Sequence, residues 1–288
     1  MANILKLVSE NVVGDFFVDT TCINCDTCRQ IAPATFGETG DYAYVYQQPG
    51  DRAERRLAIQ ALLACPTGSI GSRRKEAVSA VRDDFPLQVE NDVFYCGFAS
   101  PKSFGGSSYF VQHPGGNWLI DSPKYLPSLV RAFESMGGIR YIFLTHRDDV
   151  AEAQRYASRF SSQRIIHRAE LAAQPEAEIV LDGEKEVEIV PKFLVIPTPG
   201  HTRGHMVLLY NNRYLFSGDH LWWERRTKRL GASRRFCWYS WPKQIESMQA
   251  LMDYAFEWVL PGHGQRIKLA PHVMREQITM LVSNMEKS

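Results

Sequence analysis

The sequence predicts an α+β protein of two domains: a small α+β unit over residues 1–80 and a larger sandwich of β-sheets covered by helices over residues 81–288. Three observations predict it. A chain of 288 residues is too long for one minimal domain and suits a medium domain beside a small one. Four of the six cysteines fall early, at 22, 25, 28 and 65, and three of them are spaced two residues apart. Beyond Pro86, strand-like runs dominate first and helical stretches interleave later, a pattern whose natural layered solution is a sheet sandwich covered by helices.

Composition narrows the function classes. At 44% hydrophobic and 23% charged residues, the chain is ordinary globular material, which excludes wholesale disorder and fibrous repeats. Lys+Arg 33 against Asp+Glu 32 leaves a net charge of +1, which argues against a nucleic-acid-coating role. No apolar run approaches the ~20 residues that span a bilayer. The opening stretch, Met1 to Glu10, lacks the long apolar core of a signal peptide, so the expected setting is the reducing cytoplasm.

In the first unit, Cys22-Ile23-Asn24-Cys25-Asp26-Thr27-Cys28 is too tight for three independent disulfides, and thiolates held this close converge on one soft metal centre. A fourth cysteine stands in Ala64-Cys65-Pro66-Thr67-Gly68. C-x2-C-x2-C with a distant Cys-Pro is the ligand pattern of a [4Fe–4S] cluster. A four-thiolate zinc site is the alternative, but zinc knots usually pair two C-x2-C units rather than a triplet and a singleton. Between these cysteines, residues 41–46 alternate like a half-buried strand. Residues 51–63 have helical apolar spacing at Leu57, Ile59, Ala61 and Leu62. A unit this small has little core, so the metal centre is expected to supply much of its stability.

Residues 15–71 resemble a bacterial-type ferredoxin. Two-cluster members carry a further Cys-Pro just after the first triplet, where this chain has Ile31-Ala32-Pro33. The resemblance is therefore to a single-cluster ferredoxin, with Cys22, Cys25, Cys28 and Cys65 as the implied ligands.

Residues 72–84 are charged and read as a linker or solvated helix. Strand-like runs follow at 94–98, 109–112 and 118–120, then a helix over 125–136, a strand over 141–144, a helix over 151–160 and a strand over 164–166. Further strands at 186–190, 193–196, 207–210 and 214–216 precede closing helices at 242–255 and 272–283. Polar residues cluster just past these strands: Thr145-His146-Arg147-Asp148, Gly200-His201-Thr202-Arg203-Gly204-His205, Gly218-Asp219-His220 and Pro261-Gly262-His263-Gly264. Glycine and proline in such loops allow tight turns and close backbone approach.

From about residue 94 to 271 these loops, with Trp118-Leu119-Ile120-Asp121, resemble the metallo-β-lactamase fold superfamily. The resemblance implies a four-layer αββα sandwich with a metal site along one edge of its sheets. Members that bind two metals carry T-H-x-H-x-D-H. Here the stretch reads Thr145-His146-Arg147-Asp148-Asp149-Val150-Ala151, so the pocket for a second ion is expected to retain only His263 and a share of Asp219. His146, His201 and Asp219 remain. Two imidazoles and a carboxylate with open positions suit non-haem Fe(II), and the same family positions hold the single iron of persulfide dioxygenases. Asp148 stands where flavodiiron proteins place a carboxylate, so it reads as a fourth ligand or an outer hydrogen-bond acceptor. His263 reads as a proton donor or substrate contact.

The expected function is redox chemistry on a small molecule (O2, NO or a sulfur species) at a mononuclear metal, iron before zinc, fed by the [4Fe–4S] cluster. An electron donor or acceptor protein is the implied partner. A mononuclear metal-dependent hydrolase of esters, thioesters or phosphoesters is the alternative, since one metal can lower the pKa of its bound water to ~7. A redox-sensing or scaffold protein without catalysis is the third reading. The basic, aromatic stretch from Arg225 to Trp238 reads as a lid or substrate entry, and Cys237 as a buried, inert thiol.

Overall fold

The computed structural model describes residues 2–287. In the N-terminal unit, Phe16–Val18 pairs antiparallel with Ile70–Ser72, which brings the far end of the unit back beside the cysteine triplet. Phe36–Glu38 and Ala43–Val45 form a hairpin, and helices Thr27–Ile31 and Arg52–Ala64 pack against each other. The second helix starts where Asp51 Oδ1 accepts the Glu54 N–H at 2.8 Å, a side-chain cap on a donor with no partner inside the helix. It buries Ala58, Ile59, Ala61 and Ala64 while Leu57 stays exposed, so the apolar stripe lies one residue around from the predicted one. Residues 72–84 fold into a short helix, Val78–Arg82, and Asp84 accepts from Gln60 Nε2 at 2.7 Å and Arg56 Nε at 2.8 Å.

The body is the predicted sandwich. Its seven-stranded sheet runs, in spatial order, Ile179–Leu181, Gln163–His167, Tyr141–Phe143, Trp118–Ile120, Tyr109–Val111, Val93–Tyr95 and Leu87–Glu90. The first four are parallel and the rest antiparallel. The six-stranded sheet runs Val187–Val190, Phe193–Pro197, Met206–Tyr210, Tyr214–Gly218, Trp258–Pro261 and Ile267–Lys268.

The two-residue repeat of a strand decides which layer each side chain enters. In Met206–Tyr210 all five residues are buried, yet Met206, Leu208 and Tyr210 face the core between the sheets. Val207 and Leu209 face the helices Trp241–Ala250 and Pro271–Met285 through Met248, Met274 and Ile278. Trp118 stacks on Phe193 across the sheets at 4.3 Å, and Tyr109 meets Phe216 at 5.5 Å. On the opposite outer face, Pro127–Ser135 and Ala153–Phe160 bury Leu129, Phe133 and Tyr156. This is a helix–sheet–sheet–helix stack.

Two local differences from the sequence reading have backbone causes. The strand predicted over 94–98 stops at Tyr95, because Gly97 and Phe98 take left-handed φ values of 64° and 48° that turn the chain out of the ladder. The basic loop after Asp219 contains a hairpin, Trp222–Glu224 paired with Arg229–Gly231.

Candidate metal centres

The cysteine loop winds through left-handed residues at Asn24 (φ 54°) and Asp26 (φ 67°), residue types that tolerate this conformation. Arg29, 4% exposed, bonds Asp26 and Asn24 and pins the loop from inside. Cys65 is the C-cap of Arg52–Ala64, its N–H donating to Ala61 O at 3.0 Å. Backbone N–H groups aim at sulfur: Asn24 and Ala43 at Cys22 Sγ, both 3.4 Å, and Ser69 at Cys65 Sγ, 3.3 Å.

A single recess is lined by all four cysteines together with Val18, Ala43 and Ile70. Burial pushes the Cys28 thiol well up and the neighbouring Cys25 sulfur pushes it further. A positively charged occupant would offset that burial and let Cys28 ionise. Among the described residues, donor atoms that all lie within 4.8 Å of one another are His146–Asp148–His201 and His146–Asp149–Asp219. The four cysteines form no such knot, whereas sulfurs on one zinc would stand only about 3.8 Å apart given the Zn–S bond length.

The second centre is built on strand ends. His146 follows Tyr141–Phe143, His201 follows Phe193–Pro197, Asp219 follows Tyr214–Gly218 and His263 follows Trp258–Pro261. Asp219 Oδ2 lies 3.7 Å from His146 Nε2 and 3.6 Å from His201 Nε2, while its Oδ1 accepts from His263 Nδ1 at 2.8 Å. Asp148 Oδ2 is 3.9 Å from His146 Nε2, so the loop carries this carboxylate into the cleft. His146, Asp148, His201, Asp219 and His263 thus converge.

Orientation comes from a buried relay. Asp121 Oδ1 accepts the Thr145 N–H at 2.9 Å, and the Thr145 hydroxyl lies 3.0 Å from both carboxylate oxygens. Donating there, it turns a lone pair to His146 Nδ1, also at 3.0 Å, which leaves Nε2 bare toward the cleft. His205 is a positioning residue as well: Nδ1 meets Thr198 Oγ1 at 2.8 Å and Nε2 accepts the Asp219 N–H at 3.2 Å. His220 is buried beside His205 and belongs to neither tight donor group.

Asp149 is the residue that sequence reasoning passed over. Arg147–Asp149 is a 3-10 turn, which brings Asp149 inward next to Asp148. It is 1% exposed and both carboxylate oxygens lack a hydrogen-bond partner. A Cβ on Gly262 would sit 2.7 Å from Asp149 Oδ2 and 2.9 Å from Asp219 Oδ1, so both carboxylates close on the same backbone. The expectation that the second-ion pocket keeps only His263 and part of Asp219 must be widened to include Asp149.

The electrostatics fit a cation. His146 Nε2, His201 Nε2 and His263 Nε2 are buried without a partner. Burial pushes His146 down to about 3, the form with a free lone pair. Burial also pushes Asp149 up, and Asp219 adds like-charge repulsion. Burial would raise Asp219 too, but the His263 imidazole holds it well below the usual carboxylate range. In return Asp219 overcomes burial at His263 and holds that imidazole at about 10. Crowded carboxylates facing bare imidazole nitrogens are a donor set for a metal ion, with room for His263 to stay outside it.

The two centres open on one cavity of about 460 Å³. Ile23, Asn24 and Cys25 of the cluster loop form one wall, and Asp148, His201, Asp219 and His263 another. Gln30 Nε2 donates to Gly264 O at 3.0 Å and Arg225 approaches Asp26 at 3.7 Å, tying the cradle to the His263 loop and the hairpin. Cys237 sits outside this chemistry: its thiol, pushed up by burial, donates to Gly200 O at 3.1 Å.

Residues 18–72 match the family described as the 4Fe-4S single cluster domain of Ferredoxin I. The cradle is a single-cluster [4Fe–4S] domain. Among solved structures, DIM-1 metallo-β-lactamase superposes with a TM-score of 0.52 at 18% identity, over 68% of this chain and 95% of that one. The metallo-β-lactamase family protein TTHA1429 from Thermus thermophilus gives 0.51 at 17%, over 69% and 81%. The body has the metallo-β-lactamase fold. Of curated proteins, hydroxyacylglutathione hydrolase of Acidiphilium cryptum is 30% identical over 149 residues, 50% of this chain and 58% of that protein. The Citrobacter koseri hydroxyacylglutathione hydrolase is 27% identical over 158 residues, 54% and 62%. The chain spans about half the length of the curated relatives it matches. Among the described residues no helix is long and apolar enough to cross a membrane.

Proposed function

We propose that this metallo-β-lactamase-fold protein is a redox enzyme in which the [4Fe–4S] domain exchanges electrons with a mononuclear iron centre acting on a small molecule such as O2, NO or a sulfur species. The observation that carries this reading is the shared cavity, walled by the cluster ligand Cys25 on one side and by Asp148, His201, Asp219 and His263 on the other. His146, His201 and Asp219 would hold the ion, with Asp148 as fourth donor. When bound, the cluster moves one electron at a time and the ion offers open coordination positions. Each electron comes from, or leaves to, an outside one-electron carrier protein, so a two-electron reaction takes two such passages.

The chain's own groups do the rest. Thr145 and Asp121 fix the His146 ring. His263, held charged by Asp219, presents its buried Nε2 as a proton source. Trp222, Phe236 and Trp238 give the cavity an apolar wall. Anaerobic purification with metal analysis and Mössbauer spectroscopy tests the reading. About five irons per chain are expected, four in the cluster and one high-spin ferrous; one zinc beside four irons overturns it.

Hydrolysis of an ester, thioester or phosphoester is the second reading, favoured by Asp149 beside Asp219 and His263 and by relatives named as hydroxyacylglutathione hydrolases. It expects zinc in place of iron in the sandwich and thioester cleavage that survives loss of the cluster. An inert scaffold is disfavoured because four donors and the relay behind them are in place.

A further inference from the structure

The shared cavity is far larger than the reaction proposed above needs. A water molecule occupies about 30 Å³ of liquid and a diatomic gas is of similar size, whereas pockets for drug-sized molecules begin near 300 Å³. This one holds about 460 Å³. Its lining is also of the wrong kind for a gas or sulfide alone. Trp222, Phe236 and Trp238 come from the hairpin and the segment after it, Phe104 from the opposite loop, and Ile23 from between the first two cluster cysteines. Phe104 is 73% exposed, Trp238 56%, Ile23 52% and Phe236 51%. Exposed apolar side chains gathered around a cleft mark a site that a ligand covers, and aromatic faces favour a flat one.

Charge is divided: Asp148 and Asp219 stand in the wall, and the cations lie on the hairpin and the segment beside it. The hairpin that supplies Trp222 carries Arg225, Arg226, Lys228 and Arg229, while Arg234 and Arg235 fall between the lining residues Ser233 and Phe236. Arg226, Lys228, Arg229 and Arg235 are exposed, and Arg225 reaches back to Asp26 beneath the cluster loop. Cations on the elements that supply the aromatic wall, with Arg235 5.7 Å from the ring centre of the lining residue Phe236, favour an anion with an apolar body.

We infer that the cavity binds a flat, apolar organic anion, seated between the cluster loop and the metal donors, as a second substrate beside the small molecule on which the centre acts. The inference rests on the redox reading for the chemistry done on the bound anion, but the binding itself is independent of which metal is present. Since Cys25 is part of the wall, an occupant touches a cluster ligand, and the cluster should report its arrival.

The probes are pyrene-1-carboxylate and its neutral amide, titrated into the intact holoprotein by fluorescence anisotropy. One site per chain is expected, with the amide about tenfold weaker. Trp238→Ala, which removes a surface side chain, should weaken the carboxylate about tenfold, and Ile23→Trp, which fills the cavity from the cluster side, should do the same with the cluster absorbance retained. Saturation should shift the EPR spectrum of the dithionite-reduced cluster. Equal affinity of acid and amide, binding untouched by both variants, or an unmoved EPR spectrum at saturation would each overturn the inference. Nitric oxide added to the ferrous protein reads the iron separately. A chain that gives no high-spin ferrous-nitrosyl EPR signal, distinct from the dinitrosyl signal of an attacked cluster, yet binds the carboxylate as described fails the redox reading and keeps this inference. The ferrous-nitrosyl signal without carboxylate binding does the reverse.

Discussion

The two metal centres follow opposite plans. In the cradle, three donors come from seven consecutive residues, Cys22 to Cys28, and the fourth from the end of one helix, within a unit whose strands are three residues long. In the sandwich His146, His201 and Asp219 each come from a different strand end, and the sheets behind them bury Trp118, Phe193, Tyr214 and Phe216. The first centre takes three of its four cysteines from one loop; the second gathers its residues from across the fold. Losing the occupant should therefore have unequal consequences.

The largest effect is expected for Cys65→Ser. It removes the ligand that joins the two halves of the cradle, so the cluster is lost and local structure goes with it. Amide exchange in Phe16–Val18 and Ile70–Ser72 should rise by about 100-fold or more, while Tyr141–Phe143 and Met206–Tyr210 stay protected. If both regions lose protection together, the two plans are not separate. His201→Ala is the counterpart. It should empty the second centre and abolish any activity there while leaving the cluster absorbance and the melting temperature within a few degrees of the parent, since the ring packs at a cleft rather than in the core. Unfolding of the sandwich in H201A would break the comparison from the other side.

This contrast also decides what was legible in the sequence. Local spacing exposed the cradle, because Cys22, Cys25, Cys28 and Cys65-Pro66 state their geometry along the chain. The strand-end donors were legible through glycine- and proline-marked loops after apolar runs. Asp149 was not, since a motif compared position by position treats it as a spacer, and only the 3-10 turn at Arg147–Asp149 swings it inward. Two adjacent aspartates one residue past His146 were the available signal. The shared cavity was beyond reach altogether: nothing in Ile23-Asn24-Cys25 encodes that it will face Trp222 and Trp238, which is a product of how the cradle packs on the sandwich.

Thr145→Val sharpens the contrast at finer scale. The substitution keeps the shape but removes the hydroxyl between Asp121 and His146, so the imidazole loses the contact that sets its tautomer. Metal affinity at the second centre should fall by about 10–100-fold with no change in cluster content. Measured by competition with a chromophoric chelator, an unchanged affinity would show that burial alone orients the ring.

The smallest effect concerns the seam between the sheets. Glu90, on the edge strand of the seven-stranded sheet, accepts from Lys268 Nζ at 2.5 Å, Trp258 Nε1 at 3.0 Å and Tyr214 Oη at 3.1 Å, all on the six-stranded sheet. The Lys268 bond, with the others, holds its carboxyl below the ordinary glutamate value. A carboxylate depressed in the folded state contributes stability above its unfolded pKa and loses it as pH falls through the folded one. Glu90→Gln should therefore lower the stability of the sandwich by about 1 kcal/mol or less at pH 7, as befits a pair near the surface. The gap between parent and variant should close below about pH 4, the range in which such carboxylates become protonated. Urea midpoints followed by near-UV circular dichroism at both pH values measure it. A gap that persists at low pH would assign the difference to packing, and any change in cradle amide exchange would mean that the seam, as well as the metal, stabilises the small unit.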